Sequence, residues 1–264
     1  MYKLGVVSYL NALPLYRPLE TREEVEIIRA VPAQLSGILA RGECDAALIP
    51  IVDFLRGTGE HIISDACIGT KTLGDGSVRS VLLFHRAPLE SIQSVAVDTS
   101  SHSSVALTRI ILADAYKVLP PFVEAAPNLA QMLRQHEAAL LIGDAALEAK
   151  AAVEVSLDNP RNHILDLGAA WKDLTGLPFV FAAWVARRGL GENARSALEG
   201  VLGAARDEGL CDLPRIIAEK PIVTGLSDSV IESYLSEAIE FHFSDLHRKG
   251  VEEFRTRCEK YGLI

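Results

Sequence analysis

Cysteine, basic charge and long apolar runs are all scarce in this sequence. Its four cysteines, Cys44, Cys67, Cys211 and Cys258, stand far apart with no C-x-x-C pair, which argues against a disulfide framework and favours free thiols in a reducing compartment. No run approaches the roughly 18–20 apolar residues of a membrane span, and the N-terminus has no secretory-signal pattern. We therefore expect a cytoplasmic protein with no membrane partner.

Basic residues are outnumbered by acidic ones. The chain has 26 Lys and Arg against 35 Asp and Glu, for a formal net charge of -9. Nucleic acids and anionic membranes favour clustered Lys and Arg, so neither is expected as a partner. A small anionic ligand stays compatible, because helix N-termini and backbone N–H groups can make a pocket locally positive.

Several sequence motifs of enzymes are missing as well. The seven histidines include no H-x-x-x-H or H-E-x-x-H pair, so no metal site is expected. There is no G-x-S-x-G nucleophile elbow. One match to a dinucleotide loop, at Gly189, Gly191 and Ala194, lacks the acidic residue that should follow on a strand, and we interpret it as an ordinary turn.

Alternating strands and helices account for much of the 264-residue chain, which is 49% hydrophobic. Residues 3–7, 25–31 and 46–50 have the composition of strands, with helices predicted at 13–19 and 32–41. This β-α-β-α-β order predicts a parallel sheet. The continuously apolar third strand is typical of a strand covered on both faces.

A second α/β series begins near residue 95, between apolar strands at 81–84 and 179–186. We expect an α/β, two-lobed, periplasmic-binding-protein-like (type II) fold, with residues 83–183 inserted as one lobe into a lobe of residues 1–82 and 184–264. Two crossing strands, at 80–84 and 181–185, would form the hinge. The ligand site would lie in the cleft between the lobes.

The C-terminal part is predicted to be helical. Apolar side chains at positions 231, 234, 235, 238 and 239 recur at the spacing of one helix face. The pattern predicts a helix over residues 228–246 whose apolar stripe packs into the core.

Polar residues follow the predicted strands at three points. They are Ser8, Tyr9 and Asn11, the hydroxyl-rich run 98–104, and Gly143 with Asp144. Because open α/β sheets bind ligands at the carboxyl ends of their strands, we expect these groups to meet. Hydroxyls beside a helix N-terminus would form a carboxylate or phosphate cradle. Each group also has a structural alternative as a turn or helix cap.

Six motifs, taken in order, closely resemble the chorismate dehydratases of the futalosine route to menaquinone. They are residues 8–15, 44–50, 80–84, 98–107, 142–147 and 175–181. The resemblance covers essentially the whole chain. It implies a hydro-lyase that converts chorismate, a small anionic substrate, to 3-[(1-carboxyvinyl)oxy]benzoate and water, with no metal or organic cofactor. The chain departs from the family pattern at Ser103, where Thr is expected, and at His85, where a small residue is expected.

The resemblance also implies a set of site residues. The catalytic pair is Asn11 and Asp144, and the substrate-binding residues are Ser8, Tyr9, Ser80, Ser101, Ser103, Ser104 and Gly143. Asn11 is expected to be a substrate-positioning donor and not the base. The base stays open among Asp144, His102 and the enolpyruvyl carboxylate of the substrate. We favour the substrate carboxylate, because proximity alone supplies much of a barrier reduction.

Two other functions stay open. A non-catalytic solute-binding protein would have the same fold, since a fold does not determine a function. The sibling lyase of the same pathway, which releases dihydroxynaphthoate, has related lobes, although the motif at residues 8–15 fits the dehydratase better. A regulatory ligand sensor is less favoured, because we find no DNA-binding segment in the sequence.

Overall fold

The computed structural model describes residues 1–98, 101–156, 164–220 and 225–264. Within these residues the strands form two sheets. The first sheet contains β1 (Tyr2–Val6), β2 (Val25–Arg29), β3 (Ala46–Pro50), β4 (His61–Thr70), β10 (Val180–Ala186) and β11 (Ile239–His242). The second contains β5 (Val81–His85), β6 (Val95–Asp98), β7 (Phe122–Ala125), β8 (Ala138–Ile142) and β9 (Ile164–Asp166). Each sheet with the helices that cover it is called a lobe, first and second in the same order.

The α-helices of the described residues complete the two lobes. They are α1 (Leu13–Tyr16), α2 (Pro32–Ala40), α3 (Ile51–Leu55), α4 (His102–Ala115), α5 (Leu129–Gln135), α6 (Gly143–Ser156), α7 (Leu167–Thr175), α8 (Glu192–Cys211), α9 (Leu213–Ala218), α10 (Asp228–Ser233) and α11 (Asp245–Lys260). None of these helices combines the length and the apolar character that crossing a lipid bilayer requires, as far as the described residues go.

The first sheet has the strand order β11-β4-β10-β3-β1-β2. Its β1 pairs in parallel with β2 and with β3, which confirms the parallel β-α-β-α-β start. All five residues of β3 are buried, as its continuous apolar run predicts. The second sheet has the order β7-β6-β8-β5-β9, with β6 parallel to both β7 and β8.

The connections between the lobes differ from the predicted crossing strands. β5 pairs with β8 and β9 and so lies wholly in the second sheet, whereas β10 pairs with β3 and β4 and lies wholly in the first. The chain therefore changes lobe in residues 71–80 and again in residues 176–179, and the expected boundaries after 82 and 183 cut through strands. An apolar run shows that a strand is buried, but it does not show which sheet buries it.

The predicted helix over residues 228–246 is also wrong in part. After α10 the chain makes one π-helical turn, Tyr234–Ala238, and then continues as β11 along the edge of β4. Ile239, Phe241 and Phe243 are buried while His242 is exposed, which is the alternation of a strand. The stripe at positions 231–239 is buried as expected, but its last member already belongs to the strand.

An aromatic cluster packs the two lobes together. Trp171 of α7 in the second lobe makes edge-on contacts with Phe179 and with Phe254 of α11, at centroid distances of 5.4 and 6.0 Å. Arg257 and Tyr261 at the end of the chain bind Asp114 of α4, again across the lobes. The described structure is therefore that of closed lobes, with the remaining space between them on the side of the strand ends.

Candidate active site

A cleft lies between the two lobes, and the space in it that protein atoms leave empty, counted together with its opening to solvent, is about 570 Å³. Much of its lining is apolar and comes from both sheets and their connections: Val7, Leu48, Ile68, Val78, Val81, Ile142 and Phe181. Its polar lining side chains are Tyr9, Asn11, Ser80, Ser101, Ser103 and Ser104. A mostly apolar cleft with a few convergent polar groups is the usual form of a small-molecule site.

The structure brings most of the predicted site residues to this cleft. The predicted residues that line it are Tyr9, Asn11, Ser80, Ser101, Ser103, Ser104 and Gly143. Ser8 is exposed and is not among the lining residues, and Asp144 lies next to the lining at the start of α6. Two residues of the predicted run 98–104, Thr99 and Ser100, lie outside the described residues.

One polar side of the cleft, here called the amide wall, consists of Asn11 and Ser80. Asn11 lies in a single 3₁₀ turn that follows β1, and Ser80 precedes β5. Behind them, the hydroxyl of Tyr234 donates to Ser80 Oγ at 2.7 Å, and the Asn11 side chain is near enough to act against the burial that raises the pKa of Tyr234. Asn11 Oδ1 is buried and has no hydrogen-bond partner among the described residues. A buried carbonyl oxygen without a partner is costly, so a ligand donor at this position would be favourable.

The opposite side, here called the serine wall, is the start of α4 with Ser101, Ser103 and Ser104. This helix begins a few residues after β6, and the N–H groups of its first turn have no intrahelical acceptor. Ser101 and Ser104 are buried, and no hydrogen bond of either hydroxyl is found within the described residues. The serine wall thus offers hydroxyl and backbone donors to a ligand.

Ser103 has a different position from its neighbours. Its hydroxyl donates to the Phe181 carbonyl at 3.1 Å and accepts from the Val52 N–H at 3.3 Å. Both partners belong to the first lobe. In this closed arrangement the Ser103 proton is therefore engaged in joining the lobes, whereas the sequence prediction assigned it to the substrate.

Gly143 lies next to the amide wall. Its N–H donates to the Ser80 carbonyl at 2.8 Å, and its φ of +58° lies in the left-handed region. A Cβ at this position would come within 3.3 Å of the Tyr9 ring. Glycine is therefore required both by the backbone conformation and by the close approach of Tyr9.

Asp144 makes a contact across the lobes. Its Oδ1 accepts from the Leu10 N–H at 3.0 Å. Burial and the nearby Glu148 raise the pKa of Asp144 to about 6, although the Leu10 hydrogen bond acts in the opposite direction. Asp144 thus holds the turn that carries Asn11, and it titrates near neutral pH.

His102 faces away from the cleft. Its Nδ1 lies 2.8 Å from Asp53 Oδ2, and the ring lines a separate cavity beside Arg109. Burial acts to raise the pKa of Asp53, but hydrogen bonds from His102 and Ser36 outweigh it and hold the pKa below its ordinary value. The His102 ring is therefore placed to pair with a carboxylate across the lobes rather than to accept a proton in the cleft.

The electrostatics of the cleft depend on backbone dipoles. Among its described lining residues, none is a Lys, Arg, His, Asp or Glu. The first turns of α2, α4 and α6 contribute Pro32, Ser103 and Gly143 to the lining, and the N-terminus of a helix carries partial positive charge. The cleft can therefore attract an anion although the whole chain is acidic.

The described residues contain no group of three or more His, Cys, Asp or Glu that could hold a metal ion.

Tyr234 was missed as a site residue in the sequence analysis. It belongs to the apolar stripe at positions 231–239, which was interpreted as core. The signal was available, because a tyrosine on a core-facing stripe buries a hydroxyl that needs a partner. What the pattern did not show is that this partner is Ser80, 154 positions away.

Two sheets with an interlobe cleft define a two-lobed ligand-binding fold, and solved structures share it. A protein from Archaeoglobus fulgidus superposes with a TM-score of 0.76 at 13% identity, over 100% of this chain and 98% of that one. The periplasmic aliphatic sulphonate binding protein from Escherichia coli superposes with a TM-score of 0.65 at 15% identity, over 100% and 93%. The fold class is periplasmic-binding-protein-like, as predicted from the sequence.

The family follows from sequence similarity. A family model described as menaquinone biosynthesis matches residues 2–260. A chorismate dehydratase from Thermus thermophilus is 31% identical over 273 aligned residues, which cover 99% of this chain and 96% of that protein. The chain belongs to the menaquinone biosynthesis family, and the resemblance found in the sequence is confirmed.

Proposed function

We propose that this protein is a hydro-lyase that converts chorismate to 3-[(1-carboxyvinyl)oxy]benzoate and water in menaquinone biosynthesis. Membership of the family and the similarity to the Thermus enzyme support the proposal. The structural observation that carries it is the pairing of the two walls: helix N–H and hydroxyl donors on one side, and Asn11 with Ser80 on the other. A cytoplasmic location belongs to the same proposal.

The reaction makes specific demands on such a cleft. A base removes the proton from C3 of the ring, and the electron pair spreads toward the ring carboxylate. The pair then returns to form the new ring double bond as the C4–O bond breaks, and the hydroxyl leaves as water with the proton that the base took. Negative charge therefore grows on the ring carboxylate before it is lost, and fixed donors stabilise such charge effectively.

In the pose that we propose, the ring carboxylate lies at the serine wall and the C4 hydroxyl at the amide wall. Ser101 and Ser104 have hydroxyls without other described partners, and the N-terminus of α4 adds backbone N–H groups. Leu48, Ile68 and Phe181 offer apolar surface to the ring. Closed lobes keep water away from the intermediate.

The proton acceptor that we propose is the enolpyruvyl carboxylate of the substrate. Asp144 is outside the lining and accepts from the Leu10 N–H, and His102 is paired with Asp53 in a separate cavity. A substrate carboxylate held in the correct rotamer lies next to C3, and such proximity is worth several kcal/mol. The protein then contributes orientation and charge stabilisation rather than a base.

Incubation of the purified chain with chorismate tests the proposed function. We expect the ultraviolet spectrum to change to that of an aromatic product, with the loss of one water in the mass of the ligand. Tight binding of chorismate without turnover would indicate a binding protein instead. Turnover of a cyclic futalosine derivative in place of chorismate would indicate the sibling lyase.

A further inference from the structure

Tyr234 lies behind the amide wall and is not among the residues that line the cleft. It is 2% exposed and sits in the single π-helical turn between α10 and β11. Its hydroxyl donates to Ser80 of the amide wall, and the side chain of Asn11, the other residue of that wall, lies close enough to lower the pKa of Tyr234. A tyrosine that touches two cleft residues from behind can determine how they are oriented.

The protons available to Asn11, Tyr234 and Ser80 determine the direction of each hydrogen bond between them. The single proton of the Tyr234 hydroxyl is donated to Ser80 Oγ, so the tyrosine oxygen can only accept from Asn11. Asn11 must then present its amide N–H₂ to Tyr234, which leaves Oδ1 on the other side, where it has no described partner. Ser80 already accepts from Tyr234, so its own proton is free to be donated.

We propose that Tyr234 is a positioning residue that makes Asn11 Oδ1 an acceptor and the Ser80 hydroxyl a donor toward the cleft. This inference rests on the proposed function. An adjacent donor and acceptor match a ligand hydroxyl, whose oxygen accepts from Ser80 and whose proton is donated to Asn11. In chorismate that group is the C4 hydroxyl, which the product lacks.

The arrangement has a consequence for specificity. A site built to bond a hydroxyl discriminates strongly against an analogue without it, because the polar groups of the site are then left unpaired. Asn11 Oδ1 would be unpaired in the product complex, which favours product release. Burial raises the pKa of the Tyr234 hydroxyl above its ordinary value, so the tyrosine stays protonated across the physiological pH range. The direction of its hydrogen bonds is therefore retained over that range.

The variant Tyr234→Phe tests the inference, because it removes one hydroxyl and keeps the ring. The measurements are kcat/KM for chorismate and the competitive inhibition constant of the product, with the melting temperature as a check on folding. We expect kcat/KM to fall by about tenfold, the usual cost of one hydrogen bond to a buried group. The inhibition constant of the product should change by less than about twofold, because the product does not use the oriented pair.

Tyr16→Phe is the matched control. Tyr16 is fully buried, and its hydroxyl has no hydrogen-bond partner among the described residues. This variant should leave both constants unchanged. The inference is overturned if Tyr234→Phe keeps kcat/KM within twofold of the wild type, or if the product constant rises in parallel, which would indicate general distortion of the cleft.

The double variant Tyr234→Phe/Ser80→Ala covers the case in which Tyr234→Phe alone does not fold. It removes both partners of the buried hydrogen bond, which is usually tolerated better than removing one. Its kcat/KM should lie below that of Ser80→Ala, because the orientation of Asn11 is lost together with the Ser80 hydroxyl. A kcat/KM equal to that of Ser80→Ala would show that Tyr234 does not orient Asn11. Failure of the wild type to convert chorismate would overturn the proposed function itself, whereas an active wild type with an unaffected Tyr234→Phe overturns only this inference.

Discussion

The two polar walls of the cleft are built by different physical means. The serine wall relies on the start of α4. The first backbone N–H groups of any helix point out of its N-terminal end, so no other side chain is needed to orient them. The amide wall relies on side chains, and the orientation of Asn11 and Ser80 depends on Tyr234 from a distant part of the sequence. The serine wall should therefore tolerate single substitutions better than the amide wall.

The largest effect is expected at the amide wall. Asn11→Ala removes the acceptor for the leaving hydroxyl, and we expect kcat/KM to fall by roughly 100-fold, as when one group that stabilises a transition state is removed. Steady-state kinetics with chorismate measure the loss, and thermal unfolding checks the fold. Asn11→Ala with wild-type turnover, together with an inactive Asp144→Asn, would contradict the proposed substrate-assisted mechanism and point to Asp144 as the base.

At Ser103 we expect an effect on stability, whereas the other residues of the serine wall are expected to affect substrate binding. Ser103→Ala leaves the Phe181 carbonyl and the Val52 N–H without their hydroxyl partner, at a cost of about 2 kcal/mol in the free energy of unfolding. Urea denaturation measures this, and Ser103→Thr, which keeps the hydroxyl, is the control. Equal unfolding midpoints for Ser103→Ala and the wild type would show that the bridge contributes nothing.

Ser104 tests the tolerance of the serine wall. Ser104→Ala removes one hydroxyl donor but leaves the N-terminus of α4 in place, so we expect a loss of about tenfold in kcat/KM, mostly through KM. Kinetics over a range of chorismate concentrations separate the two constants. A loss as large as that of Asn11→Ala would remove the contrast between the walls.

The smallest effect is expected at Asp144 and depends on pH. The pKa of Asp144 is about 6 in the folded protein, above its unfolded value of 3.8, so ionisation of the carboxyl costs stability. The stability that the protonated carboxyl contributes is fully present below pH 3.8 and is lost as the pH rises through about 6. Two pKa units correspond to about 3 kcal/mol, and Asp144→Asn removes this cost while weakening the hydrogen bond from the Leu10 N–H. We therefore expect a net stabilisation of about 1 kcal/mol at pH 8 and less at pH 5. Thermal melts at the two pH values check the difference, and equal shifts at both would contradict it.

Much of the fold could be predicted from the sequence, because the residue patterns that define strands and helices are local. The order of the first strands and helices predicted a parallel sheet, and β1 does pair in parallel with β2 and β3. The sheet as a whole is mixed, because β10 is antiparallel to both β3 and β4. β4 was not predicted, although it pairs with both β10 and β11. The π-helical turn at Tyr234–Ala238 was not predicted either, because the helical spacing of apolar residues continues through it.

The sequence by itself determined that polar residues stand after strand ends and that a hydroxyl-rich segment opens α4, since strand ends and helix starts follow from local residue patterns. It did not determine which of these groups is free for a ligand. Only the tertiary structure shows that the Ser103 proton is engaged with Phe181, that His102 pairs with Asp53, and that Tyr234 donates to Ser80. Hydrogen-bond partners far apart in the chain are selected by packing, and packing is a property of the assembled lobes.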